Sequence, residues 1–353
     1  MHRRRLYKEH ALHLSSLSER HYFYQLLMWC HDRSVFIHPT LRMVRQRSAY
    51  RQHAFFVTDT VERLTPLLAI PEHLAIGFQE TYTSDSNNNI MEKNTLFDEQ
   101  REKEFHQMNV GDNSDADVCQ FFFSALGMIV ADLVTAKSSP LTDPRHTFAS
   151  LLSKVQTIPN APYFDESVVF DAEEPCLADV LLQMIRNYIN GGPLVNKLSR
   201  DELQWAVSVC LSHATPLQIH TLQSIGIIPL VHLFPHGGTQ TNSYVIARNA
   251  REKSAAKMAA FFRDTFGYDF SAQHSGRWIY VVCDRELRAG DEVCLQAMAP
   301  VCDRDSEAEQ MWRLSCGTAP SEYMASSAVA RRQLQLTQEI IDKGSDLLRP
   351  AQW

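Results

Sequence analysis

The chain has 353 residues, of which 44% are hydrophobic and 21% charged, enough for one large domain or two smaller ones with a substantial core. A formal net charge of −7 argues against a broad nucleic-acid surface and leaves only local basic patches open. No apolar run approaches the ~20 residues of a membrane-spanning helix, and the eight cysteines form no CxxC pair, so neither zinc nor a redox dithiol is signalled and reduced core thiols in an intracellular compartment are expected.

The N-terminus is basic, with Arg3, Arg4, Arg5, Lys8 and Arg20 against Glu9 and Glu19. Two readings stay open there: an amphipathic mitochondrial presequence and a basic solvated helix. Residues 1–43 are expected to be a mainly helical extension. Within it, residues 22–30 (YFYQLLMWC) are too apolar all round for an isolated helix and require a partner surface.

Phe55-Phe56-Val57-Thr58 reads as a short strand. Residues 67–70 read as a second, stopped by Pro71, with a short edge strand following to Ile76. Residues 79–116 are a polar insert with too few apolar residues to order itself. Residues 117–137 (DVCQFFFSALGMIVADLVTAK) predict a strongly apolar helix, and 144–152 another. Residues 158–163 are extended and punctuated by proline, and 177–190 are helical up to Gly191-Gly192. Ser199 and Glu202 form a capping box that opens a helix carrying Trp205, Val209 and Ser212. Residues 117–220 are thus expected to be a helical insert.

The most informative stretch is 224–249, SIGIIPLVHLFPHGGTQTNSYVIARN. Its apolar run predicts a buried strand over 227–233, then a corner at Pro235-His236-Gly237-Gly238, then a second strand over 244–247. A helix is expected over 250–266, strands over 278–283 and 292–295 with a turn between them, and helices over 303–315 and 321–348. The last helix has apolar positions at Leu334, Leu336, Ile340, Ile341 and Leu347 and no helical domain after it to cover them.

Several constellations compete for chemistry. His232 and His236 have the i,i+4 spacing of metal ligands on a helix, but Pro235 and the glycines oppose a helix there, so a histidine pair in the core or on the surface is preferred and no metal is expected. Gly237-Gly238-Thr239 lacks the Lys-Ser/Thr of a phosphate loop and reads as a plain turn. Cys283, Cys294, Cys302 and Cys316 fit no zinc spacing. Arg331-Arg332 and Arg3-Arg4-Arg5 could touch RNA phosphate; a solvated face is preferred for each.

Three segments carry a family resemblance: 203–213 (LQWAVSVCLSH), the 224–249 stretch, and 287–295 (LRAGDEVCL). In that order they resemble the second half of a SET domain of the Rubisco-methyltransferase type, which reads WA-S-V-SR, then PL-DM-NH, then I-AGEE-I-YG. The apolar frame of 55–76 and Ile70-Pro71 resemble its opening strands, so the resemblance covers about residues 50–317. It implies an α+β fold of short strands with pseudoknot-like threading and an inserted helical subdomain (44–317), flanked by helical extensions at 1–43 and 318–353.

The activity implied is S-adenosylmethionine-dependent methylation of a protein lysine, in which catalysis is mostly positioning and desolvation. Here the scaffold residues stand and the chemical ones are replaced. Arg51-Gln52-His53 occupies the place of a Gly-Arg-Gly turn that lets backbone approach the donor. His213 stands for the arginine ending SR, His232 for an aspartate, and Pro235 for the asparagine of NH, while His236 matches its histidine. Proline has neither an amide side chain nor an N–H to offer. Ala297 stands at the family tyrosine that orients the amine, and Met298 at the following glycine.

These replacements imply a catalytically inactive SET-like protein with no catalytic residue and no cofactor. It would act as an interaction subunit among other protein subunits of an intracellular assembly, with a mitochondrial ribonucleoprotein and a local RNA contact as the named expectation. Two alternatives stay open: an active methyltransferase with a shifted site using Tyr244 or Tyr280, and a non-catalytic binder of a protein tail. The interaction reading draws on three segments without an evident internal partner, namely residues 22–29, residues 79–116 and the last helix.

Overall fold

The structure, a computed structural model, describes residues 11–12, 17–45, 53–77, 115–154, 199–219, 222–249, 277–295 and, near the C-terminus, 332, 333, 335, 336 and 339. Helices and mainly antiparallel strands combine in a mixed α+β fold. Four strands, β2 (Phe36–Ile37), β5 (Pro66–Pro71), β9 (Arg277–Cys283) and β8 (Ser243–Asn249), form an antiparallel sheet in that order. All seven residues of β9 and all six of β5 are buried, as their uninterrupted apolar runs require of central strands. A second sheet joins β1 (Ala11–Leu12), β3 (Leu41–Arg45) and β4 (His53–Val57). β3 and β4 pair antiparallel from Leu41–Val57 to Arg45–His53, while β1 runs parallel to β3. A hairpin, β6 (Thr215–Ile219) with β7 (Leu222–Gly226), forms its own two-stranded ladder and adds Leu217 and Ile225 to the core.

The helices sit where their caps and stripes predict. In α2 (Asp115–Ser138), Leu126, Ile129, Val130, Leu133 and Val134 are buried, a 3.6-period stripe. α3 (Pro144–Leu152) starts at Asp143, whose carboxylate accepts from the Arg145 N–H at 2.8 Å, with Pro144 in the first turn. α4 (Arg200–His213) opens on the capping box: the Ser199 hydroxyl accepts from the Glu202 N–H and the Glu202 carboxylate from the Ser199 N–H, both at 3.2 Å.

The expected 1–43 extension is not separable from the core. β2 pairs with β5, and β3, paired with β4, crosses the 43/44 boundary. α1 (Leu17–Asp32) finds its partner inside the molecule: Tyr22, Phe23, Leu26, Leu27 and Trp29 are all 7% exposed or less, and within residues 22–29 Tyr24 is the exposed one. Trp29 stacks on Phe148 of α3 with centroids 5.5 Å apart, and its indole N–H donates to Pro144 O at 3.2 Å. The sequence showed an apolar segment without showing which internal surface it meets.

The buried strand expected over 227–233 is also corrected. The ladder ends at Gly226, one bridge joins Ile227 to Ile76, and Val231–Leu233 form a single 3₁₀ turn. Pro229 has no N–H to extend a ladder, and Leu230 takes φ 65°, so the chain turns although every residue from 225 to 234 is buried. A continuous apolar run marks burial without fixing the backbone. The edge strand expected before Ile76 is replaced by a 3₁₀ turn, Glu72–Leu74, and the 292–295 strand by single bridges at Glu292 and Leu295. β6 falls inside the span read as helical.

Buried and half-buried ion pairs join helix to helix and strand to 3₁₀ turn. Arg145 contacts Asp132 at 2.7 Å, and Asp132 also accepts from the Gly77 N–H at 2.7 Å; Arg277 meets Glu72 at 3.2 Å with both side chains buried. Near the C-terminus Arg332 pairs with Asp284 and Arg63 with Glu339. Gln333 and Leu336 are buried there, so the stripe of the last helix is covered at Leu336. The calls on residues 78–114, 155–198, 250–276, 296–331 and 340–353 lie outside the described residues.

Candidate functional site

The strand at 55–57 and the corner at 235–237 meet along residues 291–295, within the third segment singled out by sequence. On one side this segment bonds to β4: the Val57 N–H donates to Asp291 O at 3.1 Å and the Val293 N–H to Phe55 O at 2.7 Å. On the other it bonds to the corner after the 3₁₀ turn. The Leu295 N–H donates to Pro235 O at 3.0 Å, and the Gly237 N–H to Leu295 O at 2.8 Å, in parallel register with His236. Phe55 and Phe234 stack face to face across the seam, 3.9 Å between centroids and 1° between planes.

Gly237 is required by space and not by its dihedrals. A Cβ there would lie 2.7 Å from the Cys294 Cβ and 2.8 Å from the Thr241 N. The corner then folds through a 3₁₀ turn, Gly238–Gln240, to Asn242, a residue that sequence reasoning missed. Asn242 is 4% exposed. Its amide donates to Glu292 O at 2.7 Å, its side-chain oxygen accepts from the Cys294 N–H at 3.0 Å, and its backbone N–H reaches Cys294 O at 3.2 Å. One side chain thus copies a strand's donor and acceptor against 292–294. Its only sequence signal is a Thr-Asn-Ser after a glycine-rich turn, which any loop asparagine would give.

Of the predicted site residues, the structure brings His213 and His232 together, with ring centroids 5.6 Å apart. His213 Nδ1 bonds to His232 O at 2.9 Å. His232 is buried, with Nε2 3.0 Å from the Tyr22 hydroxyl, Nδ1 3.1 Å from Ile228 O, and the Phe148 ring 5.3 Å away edge-on. Pro235 is buried and His236 partly so, both at the Leu295 seam. His53 begins β4 through its backbone. Arg51, Gln52 and Ala297 lie outside the described residues.

Burial disfavours the charged forms of Tyr22 and of three cysteines. Burial, and secondarily Cys30, push the Tyr22 phenol up, and burial does the same to the Cys30 thiol. Cys210 is raised by burial and then by Asp132, and Cys283 is pushed up to about 12 by burial. These cysteines and Cys294 are buried thiols outside any disulfide, and burial keeps Cys30, Cys210 and Cys283 protonated at neutral pH. Among the described residues no group of three His, Cys, Asp or Glu side chains could hold a metal ion, and no helix is long and apolar enough to cross a membrane. An apolar void between α1 and the strands, lined by Phe23, Leu27, Met43, Phe55, Leu68 and Leu230, has room for about one water, ≈ 10 Å³.

No protein-family model matches the chain, and no curated protein does. Among solved structures it is similar to the SET domain of LSMT bound to lysine and AdoHcy, at 12% identity and a TM-score of 0.47, over 86% of this chain and 58% of that one. It is likewise similar to the SET domain of LSMT bound to MeLysine and AdoHcy, at 12% identity and a TM-score of 0.46, over 87% and 57%. The chain spans less than three-fifths of the length of either.

Proposed function

We propose that this chain is a SET-like protein of the Rubisco-methyltransferase type that has lost methyl transfer and serves as a non-catalytic subunit of a larger assembly. The observation that carries the first part is the seam at Pro235. In the family resemblance this position supplies an asparagine beside the donor. Here it is a proline whose carbonyl accepts the Leu295 N–H, and the next N–H but one, Gly237, is given to Leu295 O. The polar backbone at the former grip is therefore spent on the protein itself, and a proline has no side-chain amide to replace it. His213, which takes the place of an arginine, turns its Nδ1 to the His232 carbonyl and likewise serves the fold. The two tyrosines named as a source of a substitute hydroxyl, Tyr244 and Tyr280, lie in the paired strands β8 and β9 with exposures of 5% and 4%.

The subunit reading draws on the polar composition of 79–116 and the basic N-terminus, because Tyr22, Phe23, Leu26, Leu27, Trp29 and Leu336 are buried within the chain. A mitochondrial ribonucleoprotein is the assembly proposed.

Isothermal titration of the full chain with S-adenosylmethionine is the test of the first part. We expect no heat of binding up to about 1 mM, a limit that corresponds to a binding free energy weaker than about −4 kcal/mol. Saturable binding overturns the non-catalytic reading and makes methyl transfer to a lysine peptide the next assay. For the second part, size-exclusion of a native extract should place the chain well above its own 40.3 kDa; elution as a monomer rejects the subunit role.

A further inference from the structure

The four-stranded sheet has two buried faces, and the main core takes one of them. Side chains alternate between faces along β8 and β9. Val245, Ile279 and Val281 belong to the continuous core, whereas Tyr244, Ile246, Trp278 and Tyr280 do not, although each is 5% exposed or less. The register aligns Phe36, Ala69, Tyr280 and Ile246 in one row across the sheet. This second face is therefore apolar, partly aromatic and shut off from water.

Helical residues near the C-terminus reach the edge of that face. Arg332, Leu336 and Glu339 stand at i, i+4 and i+7, on one side of a helix. Leu336 is fully buried and yet lies outside the main core. Arg332 grips Asp284, just past the end of β9, with two nitrogens on its two carboxylate oxygens, the side-on fork of a guanidinium. Asp284 also meets Arg63 at 3.5 Å, Arg63 meets Glu339, and Glu339 returns to Arg332 at 3.7 Å. Four charges thus alternate in sign around a closed ring, with side-chain exposures between 20% and 33%. Bonds to backbone fix the sheet's half of the ring. Arg63 Nε donates to Asp284 O at 2.7 Å, the Leu64 N–H to Cys283 O at 2.8 Å, and the Asp284 N–H to Asn242 O at 2.8 Å. Tyr244 lies within reach of the ring: burial and then Asp284 push its phenol up, and Arg332 opposes them.

We propose that the C-terminal helix is an ionic strap over the second face of the sheet: the ring latches it to Arg63 and Asp284, and breaking the ring lifts the helix and bares an aromatic surface at Tyr244 while the core stays folded. Half-buried charges are screened by salt only in part. Removing one member of the ring leaves two like charges beside a single partner, so the latch answers to a change of charge more sharply than an exposed pair does. The strap holds whether or not methyl transfer has been lost.

Hydrogen exchange of the full chain reads the latch. In Arg332→Gln, exchange over 332–339 should rise about tenfold or more while 278–281 keeps its protection. Tetranitromethane should then nitrate Tyr244, which it spares in the unmodified chain. Arg288→Gln, whose 82% exposed side chain lies outside the ring, should change nothing. In the unmodified chain, raising sodium chloride from about 20 mM to about 0.5 M should lift exchange over 332–339 by about threefold or more. Protection of 332–339 that survives Arg332→Gln, or an equal rise in Arg288→Gln, overturns the latch. A Tyr244 that stays unmodified in the opened variant overturns the covering of this face. Loss of protection in 278–281 as well makes helix and core one unit and overturns the strap. Should Arg332→Gln fail to fold, the salt titration of the unmodified chain decides: no rise, or a uniform one, overturns the proposal.

Discussion

At Asn242 a single amide does the work of a strand edge, donating to the Glu292 carbonyl and accepting from the Cys294 N–H. Asn242→Ala removes both bonds, so we expect a loss of about 1–3 kcal/mol in urea unfolding. Asn242→Asp keeps the acceptor but loses the donor to Glu292 O, and should be nearly as damaging. Gly237→Ala should destabilise by about 1–3 kcal/mol through overpacking against the Cys294 Cβ and the Thr241 backbone; Cys294→Ala keeps that Cβ, so a double-mutant cycle should show almost no coupling. Residues at this scale were legible only where chemistry is tied to type. Pro235 announced a missing N–H before any fold was known. Asn242 and the Tyr22–His232 pair could not be found in advance, because their meaning is a distance between residues far apart in the chain.

Among the elements, those with a local signature were read closely. The helix expected at 144–152 is α3 residue for residue, because a capping aspartate and a first-turn proline mark its start. The capping box at Ser199 likewise placed α4. Elements whose form depends on a neighbour were not. The 227–233 run is as apolar as a central strand, yet Pro229 and Leu230 turn it, and the two-residue β2 exists only because β5 lies beside it. The reassignment of α1 changes what a truncation should do. Removing residues 1–43 would strip α1, β2 and most of β3 from the buried core. The remainder should therefore lose its cooperative thermal transition by near-ultraviolet circular dichroism; a sharp transition in the truncated chain would restore the view of residues 1–43 as a dispensable extension.

For the molecule as a whole, one continuous buried cluster takes residues from α1, both larger sheets, the helices and the 3₁₀ turn, so the described residues share a core and no boundary between 43 and 44 divides them. That the chain mixes helices with short strands was legible from its periodicities, since each pattern is local. How the strands are ordered was not, since β9 must be placed between β5 and β8 by contacts that no window of sequence contains. The seam around 291–295 carries a further consequence, for the birth of the protein. β4 emerges from the ribosome first, and the segment that bonds to it at Phe55 and Val57 follows only after roughly 235 further residues. Until it arrives, β4 has one open edge, and the corner at Pro235 has no partner for its carbonyl. The nascent chain must thus wait, with apolar strands uncovered, for a late segment to slot between two earlier ones, an order of events that slows closure and favours a chaperone's attendance.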